Sequence, residues 1–169
     1  MNYLKGDIMV KIVTGPINTG KTTWLIKDFN SKINADGFAC RKVKINGEHI
    51  GYELVHLSTG ESCQFIRKID HIPEGWHEAF RLGMHYTFNK EGFSFADKIC
   101  DEALAKGVKC FYLDEVAHLE LKGQGFANIL RRILAADIDL ILVVREALVE
   151  KICQTFGIKD YKLIKPDFS

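Results

Sequence analysis

Residues 7–22 read "DIMVKIVTGPINTGKT", and the fold turns on how its two halves join. Ile8 to Thr14 is a short run rich in β-branched residues, suited to a buried strand. Gly15, four variable residues and then Gly20-Lys21-Thr22 match the phosphate-binding loop pattern. Glycine at both ends reaches backbone angles closed to other residues, so successive amides can turn inward at an anion. Lys21 to Ile33 carries Leu25, Phe29 and Ile33 at helical spacing. A helix there aims its free N–H groups and the positive end of its dipole at the same anion. Lys21 offers a point charge to the β- and γ-phosphates and Thr22 a hydroxyl to magnesium. The stretch therefore predicts a nucleotide site built from Gly15, Pro16, Ile17, Asn18, Thr19, Gly20, Lys21, Thr22 and Thr23.

Downstream, Asn46-Gly47 separates two strand-like runs and has the chemistry of a two-residue hairpin turn. A second turn at Ser58-Thr59-Gly60 leads into "ESCQFIRKI". An antiparallel insert of two or three strands is expected, with a bulge where Leu54 and Val55 break the alternation. Residues 68–78, with Pro73 and Gly75, read as loop, and "MHYTF" as a further short strand. From Phe95 the period changes: Ala96, Ile99, Cys100, Ala103 and Leu104 continue one apolar helical face that ends near Gly107. "VKCFYLDE" and "IDLILVV" are apolar without alternation, as strands covered on both faces are. Between them Phe126, Ile129, Leu130, Ile133 and Leu134 share a helical face. A helix over Arg145 to Phe156 and a last strand "YKLI" complete the count. Strands alternating with helices predict an α/β fold with a mostly parallel central sheet and an antiparallel hairpin annex.

The whole chain, residues 1–169, reads as one domain, without repeats, low-complexity stretches or linkers. A net charge of +1 offers no polyanion-binding surface, which argues against nucleic acid as a partner. The cysteines at 40, 63, 100, 110 and 153 are dispersed and never form Cys-x-x-Cys, so they read as small hydrophobes in a reducing compartment. The histidines never take a metal-ligand spacing with one another or with cysteine. "MNYLKGDIMVKIV" is too brief an apolar run for a signal peptide and no segment could span a bilayer, so a cytoplasmic protein without a membrane partner is expected.

A phosphate loop names a ligand class and leaves the reaction to other residues. Asp114 and Glu115 end the apolar strand "VKCFYLDE". If that strand runs parallel to the first, its C-terminal end shares the loop's sheet edge, where open α/β sheets bind ligands. Asp114 is then placed to hold magnesium beside Thr22, and Glu115 to orient or deprotonate an attacking water. Arg145 follows "IDLILVV" on the same edge and is a candidate for neutralising charge on a transferred phosphoryl group, the alternative being a surface arginine in a helix's first turn. Catalytic candidates are thus Lys21, Glu115 and Arg145, and metal candidates Thr22 and Asp114. Arg131 and Arg132, opposite their helix's apolar stripe, read as a solvated face. Arg41, Lys42 and Lys44 read mainly as strand-edge charges, and His118 as a local hydrogen-bond partner.

The segments "GPINTGKTT", "HIGYELVHLSTGE", "YLDEVAHLELKGQGF" and "VVREALVEKICQTFGI" together resemble the small P-loop nucleoside-triphosphatase family that includes enzymes from thermophiles and the cancer-related nucleoside-triphosphatase. The resemblance runs from about Met9 to Ile164, and its acidic segment continuing to Glu120-Leu121 is its more specific part. It implies a RecA-like three-layer sandwich and slow, base-tolerant, magnesium-dependent hydrolysis of ATP, GTP and other nucleoside triphosphates. It maps the phosphate-binding segment onto Gly15 to Thr23 and the acidic motif onto Asp114 and Glu115. Asn18 or Thr19, and Ala117, stand where the family usually has glycine.

Two other functions fit a phosphate loop. A nucleotide or small-molecule kinase commonly carries an arginine-rich lid, and no dense arginine segment occurs here. A nucleotide-dependent adaptor or switch would use hydrolysis only to time release, through a protein partner or a second copy. A guanine-specific switch is disfavoured, since "NKEG" at Asn89 precedes the acidic strand and lacks the aspartate of the guanine motif.

Overall fold

The computed structural model describes residues 8–167; the reading of residues 1–7 as part of a chain start without a signal peptide lies outside them. Strands β1 (Val10–Val13), β2 (Ala35–Ile45), β3 (Glu48–His56), β4 (Ser62–Lys68), β5 (Glu78–Leu82), β6 (Tyr86–Asn89), β7 (Cys110–Val116), β8 (Asp139–Val144) and β9 (Lys162–Ile164) form a single sheet. Its order is β5-β6-β4-β3-β2-β7-β8-β1-β9. From β2 to β9 all neighbours are parallel; from β2 outward to β5 all are antiparallel. The helices are α1 (Lys21–Asn30), α2 (Lys90–Lys106), α3 (His118–Leu121), α4 (Ala127–Ala135) and α5 (Val149–Phe156). Among the described residues no helix is long and apolar enough to cross a membrane.

The unalternating apolar strands are explained by two cores, one on each face of the sheet. Val13, Tyr112, Ile141 and Val143 point to one side and are covered by α1 through Leu25, Trp24 and Phe29. Ile12, Phe111, Leu113, Leu140, Leu142 and Val144 point to the other, against residues of α2, α4 and α5. Each strand thus buries both of its faces, as parallel strands in a layered α/β protein must. The Tyr112 hydroxyl donates to Asp28 Oδ2 at 2.6 Å and tethers α1 to β7.

Several boundaries differ from the sequence reading. Helix α1 stops at Asn30, and Ile33 lies beyond it, 93% exposed. Its helical spacing was coincidental, because Ser31 already caps the last turn by donating its N–H to Asp28. Helix α2 starts at Lys90 rather than Phe95, since the Asn89 side chain accepts from the Glu91 N–H and begins the helix there. "NKEG" is thus a helix start. The segment read as loop over 68–78 begins with a 3-10 turn at Ile69–His71, and its last residue opens β5, which was not foreseen. Exposure of nearly all of β5 removed the alternation that marks a strand. The annex beyond β2 therefore holds four strands. Its register breaks fall at Val43/Lys44, Tyr52/Glu53 and Glu78/Phe80 instead of Leu54/Val55. The Asn46-Gly47 turn is as expected, both residues taking positive φ of 50° and 80°. The segment from Arg145 opens as a 3-10 turn, Glu146–Leu148, before α5.

Four cysteines are buried and Cys63 is half-buried. In the annex, His56 Nε2 lies 2.9 Å from Asp36 Oδ2 and 3.0 Å from Ser58 Oγ. One ring nitrogen faces both groups, so these residues pin the Ser58 turn and lack the geometry of a nucleophile relay.

Candidate active site

The parallel part of the sheet brings the C-terminal ends of β7, β8 and β1 to one edge. Residues 14–20 leave β1, Arg145 leaves β8 between them, and Asp114-Glu115 close β7 two strands away. Two strand spacings are about 10 Å, and side chains span the gap. The Thr14 hydroxyl donates to the Val144 carbonyl at 2.8 Å, tying the root of the phosphate loop to the residue before Arg145.

The loop has the predicted shape. Gly15 and Gly20 have φ of 149° and 78°, and Gly20 caps α1, whose first residues Lys21, Thr22 and Thr23 begin the helix. Asn18 takes φ 62°. The resemblance expects glycine where Asn18 or Thr19 stands, and asparagine is among the few other residues that reach this region readily. Pro16, Ile17 and Asn18 are exposed at the loop tip, and the Thr19 hydroxyl donates to the Pro16 carbonyl at 2.7 Å. Lys21 Nζ reaches back over the loop to the carbonyls of Pro16, at 2.6 Å, and Gly15, at 3.1 Å. The ammonium is thus held over the hollow of the loop.

Asp114 is fully buried. Its Oδ2 accepts the Thr22 hydroxyl and the Cys40 N–H, both at 2.9 Å, while its buried Oδ1 has no hydrogen-bond partner. Burial first, and then the neighbouring Glu115 charge, push its pKa well above the ordinary carboxylate range. An orphaned carboxylate oxygen beside a hydroxyl on the first turn of α1 is a donor set suited to a hard divalent cation.

Glu115 follows at φ 62°, a conformation a glutamate seldom adopts. The β7–β8 register breaks between Leu113 and Val116. This bulge allows consecutive carboxylates to serve one site, since a regular strand would send them to opposite faces. Glu115 and Arg145 both line a cavity on the annex side of the loop. Tyr52 lines it too, its hydroxyl pushed up by burial and then by the Glu115 charge, with Arg145 opposing.

Sequence reasoning missed three contributors. Glu120, 3% exposed, accepts the Ala117 N–H at 2.8 Å and the Phe126 N–H at 3.1 Å, fastening both ends of the turn after Glu115. Gly125 (φ 60°) is required there, because a Cβ would lie 2.4 Å from Glu120 Oε1. A glutamate five residues past the acidic pair, followed by Gly123 and Gly125, was the available signal. The Cys40 backbone amide left no trace in the sequence, since any residue supplies an N–H. Lys42 was read mainly as a strand-edge charge; β2 runs past the sheet edge, and Lys42 Nζ donates to Asn18 Oδ1 of the loop. Arg41 instead pairs with Glu53. Arg132 pairs with Asp101, and Arg131 covers the Phe156 ring, consistent with a solvated helix face. His118 is exposed at the start of α3 and borders the cavity.

Strand, phosphate loop and helix, with an acidic strand end on the same sheet edge, define a P-loop nucleotide-binding α/β protein. The chain belongs to the NTPase family, whose model matches residues 11–166, and is by that membership a nucleoside-triphosphatase. Nucleoside-triphosphatase THEP1 of Archaeoglobus fulgidus is 29% identical over 153 residues, covering 86% of this chain and 85% of that protein. The same-named protein of Thermotoga petrophila is 26% identical over 156 residues, covering 90% and 82%. The solution structure of a human cancer-related nucleoside triphosphatase matches with a TM-score of 0.68 at 27% identity, over 93% of this chain and 88% of that one. The crystal structure of THEP1 from Aquifex aeolicus matches in fold, with a TM-score of 0.69 at 22% identity over 95% and 91%.

Proposed function

We propose that the chain hydrolyses nucleoside triphosphates, with little selection for the base, to nucleoside diphosphate and phosphate, with Mg2+ as cofactor. The observation that carries this is the Thr22–Asp114 hydrogen bond, which joins the phosphate-loop helix to the acidic strand end and leaves Asp114 Oδ1 free. Residues 15–23 wrap the phosphates, their amides and the α1 N-terminus facing the anion. Lys21 exchanges the loop carbonyls for β- and γ-phosphate oxygens. Thr22 and Asp114 would hold Mg2+, which when bound supplies charge neutralisation on the β- and γ-phosphates. Glu115, turned by its bulge, aligns the attacking water and accepts its proton. Arg145, rooted between the loop and Glu115, neutralises charge on the transferred group. Base tolerance rests on the family resemblance; the site described involves only phosphates and metal.

The test is phosphate release from ATP, GTP, CTP and UTP with magnesium and no other acceptor. Wild type is expected to turn over several of them, Lys21→Ala to bind weakly and release none, and Glu115→Gln to bind normally with turnover reduced by about 100-fold or more. Equal turnover in Glu115→Gln and wild type would remove Glu115 from the chemistry.

A further inference from the structure

The cavity that Glu115 and Arg145 line has a volume of about 230 Å³. A water occupies about 30 Å³ of liquid, and a cavity of about 150 Å³ accommodates benzene. Hydrolysis needs room for one water, so this chamber is several times larger than the reaction with water requires. Its far wall is aromatic. Phe65, Phe88, Phe93 and Phe126 line it and pack on one another, with ring centroids 5.0 to 6.1 Å apart. None of residues 15–23 lines it, so it lies beside the phosphate loop and not within it. Its polar side chains are Glu115, His118, Arg145, the Cys40 thiol, the phenols of Tyr52 and Tyr86, and Glu120, whose carboxylate is already engaged by two backbone N–H groups. Aromatic walls with a few convergent polar groups are the mark of a site for a small planar molecule.

We infer that this cavity is an acceptor site for a small aromatic alcohol, whose ring lies among the phenylalanines, whose hydroxyl meets Glu115, and which receives the γ-phosphoryl group. The inference rests on the reading above in which Glu115 faces the γ-phosphate. In the transfer, the acceptor oxygen forms a bond to the γ-phosphorus as the bond from that phosphorus to the β,γ-bridging oxygen breaks. The nucleoside diphosphate leaves with the bridging oxygen, Glu115 takes the hydroxyl proton, and nothing is oxidised or reduced. Hydrolysis is the same displacement with water in place of the alcohol.

The experiment incubates the full chain with Mg-ATP and benzyl alcohol or 2-(4-hydroxyphenyl)ethanol, with glycerol as the non-aromatic control, and follows products by phosphorus NMR. The expected result is a phosphomonoester from the aromatic alcohols and none from glycerol, with free phosphate falling as ester rises. Leu82 is exposed on β5 at the cavity's edge. Leu82→Trp should lower ester formation about tenfold, the effect of roughly 1.4 kcal/mol of lost binding, and leave phosphate release without alcohol unchanged. Phosphate release without any ester overturns the acceptor site while the hydrolase reading stands. Self-association that Leu82→Trp abolishes, again without ester, assigns the cavity to a second copy and also overturns it. Absence of both phosphate and ester overturns the hydrolase reading and this inference together.

Discussion

Replacing Glu120 by alanine isolates how the turn after Glu115 is held. Its carboxylate is buried and accepts two backbone N–H groups, from Ala117 and Phe126. Alanine leaves the buried Phe126 N–H without a partner, at about 1–3 kcal/mol, and the part-buried Ala117 N–H at about 1 kcal/mol. A partly collapsed cavity adds to this, so the total is about 3–5 kcal/mol. For a domain of this size each kcal/mol lowers Tm by about 2–4 °C, which predicts a fall of roughly 6–20 °C. Glu120→Gln keeps one acceptor oxygen and turns an amide donor toward the other N–H, so it should cost about 1–3 kcal/mol. Urea unfolding of wild type and both variants gives the comparison. Because residues 15–23 do not touch this turn through Glu120, triphosphate affinity should stay near wild type while turnover falls, Glu115 having lost its support. An alanine variant within about 1 kcal/mol of wild type, or one that loses affinity and keeps turnover, would refute the reasoning.

Two further outcomes follow from the site. Asp114 has its folded pKa above its unfolded one, so it binds more protons when folded and stability falls as pH rises from the unfolded carboxylate value through the raised one. In metal-free buffer Asp114→Asn should remove that part of the decline, seen by urea unfolding across the acid-to-neutral range; assayed separately with magnesium, the same variant should lose turnover. Lys42→Met removes a cation that touches the loop at Asn18; triphosphate affinity should weaken about fivefold, near 1 kcal/mol, with the difference shrinking in high salt and turnover at saturation unchanged.

Contacts close in sequence or repeated by period were legible before the structure. Gly15 to Thr23 declared its chemistry because a phosphate cradle is made by consecutive amides, and consecutive amides are a local pattern. Alternation of apolar strands with helices implied a layered α/β fold, because burial on both faces leaves its mark on every residue of β7 and β8. The Asn46-Gly47 turn was legible for the same local reason. Strand β5 was not, since its exposed residues answer to no core. Nor could the sequence decide that Asp114 Oδ2 meets both Thr22 and Cys40, that Glu115 turns at a bulge, or that Lys42 bonds Asn18 of the loop. These depend on which strands lie side by side, and strand order follows from the summed packing of distant segments. The acidic pair was visible in the chain, but only tertiary structure brought it beside the phosphate loop and placed an aromatic chamber behind it.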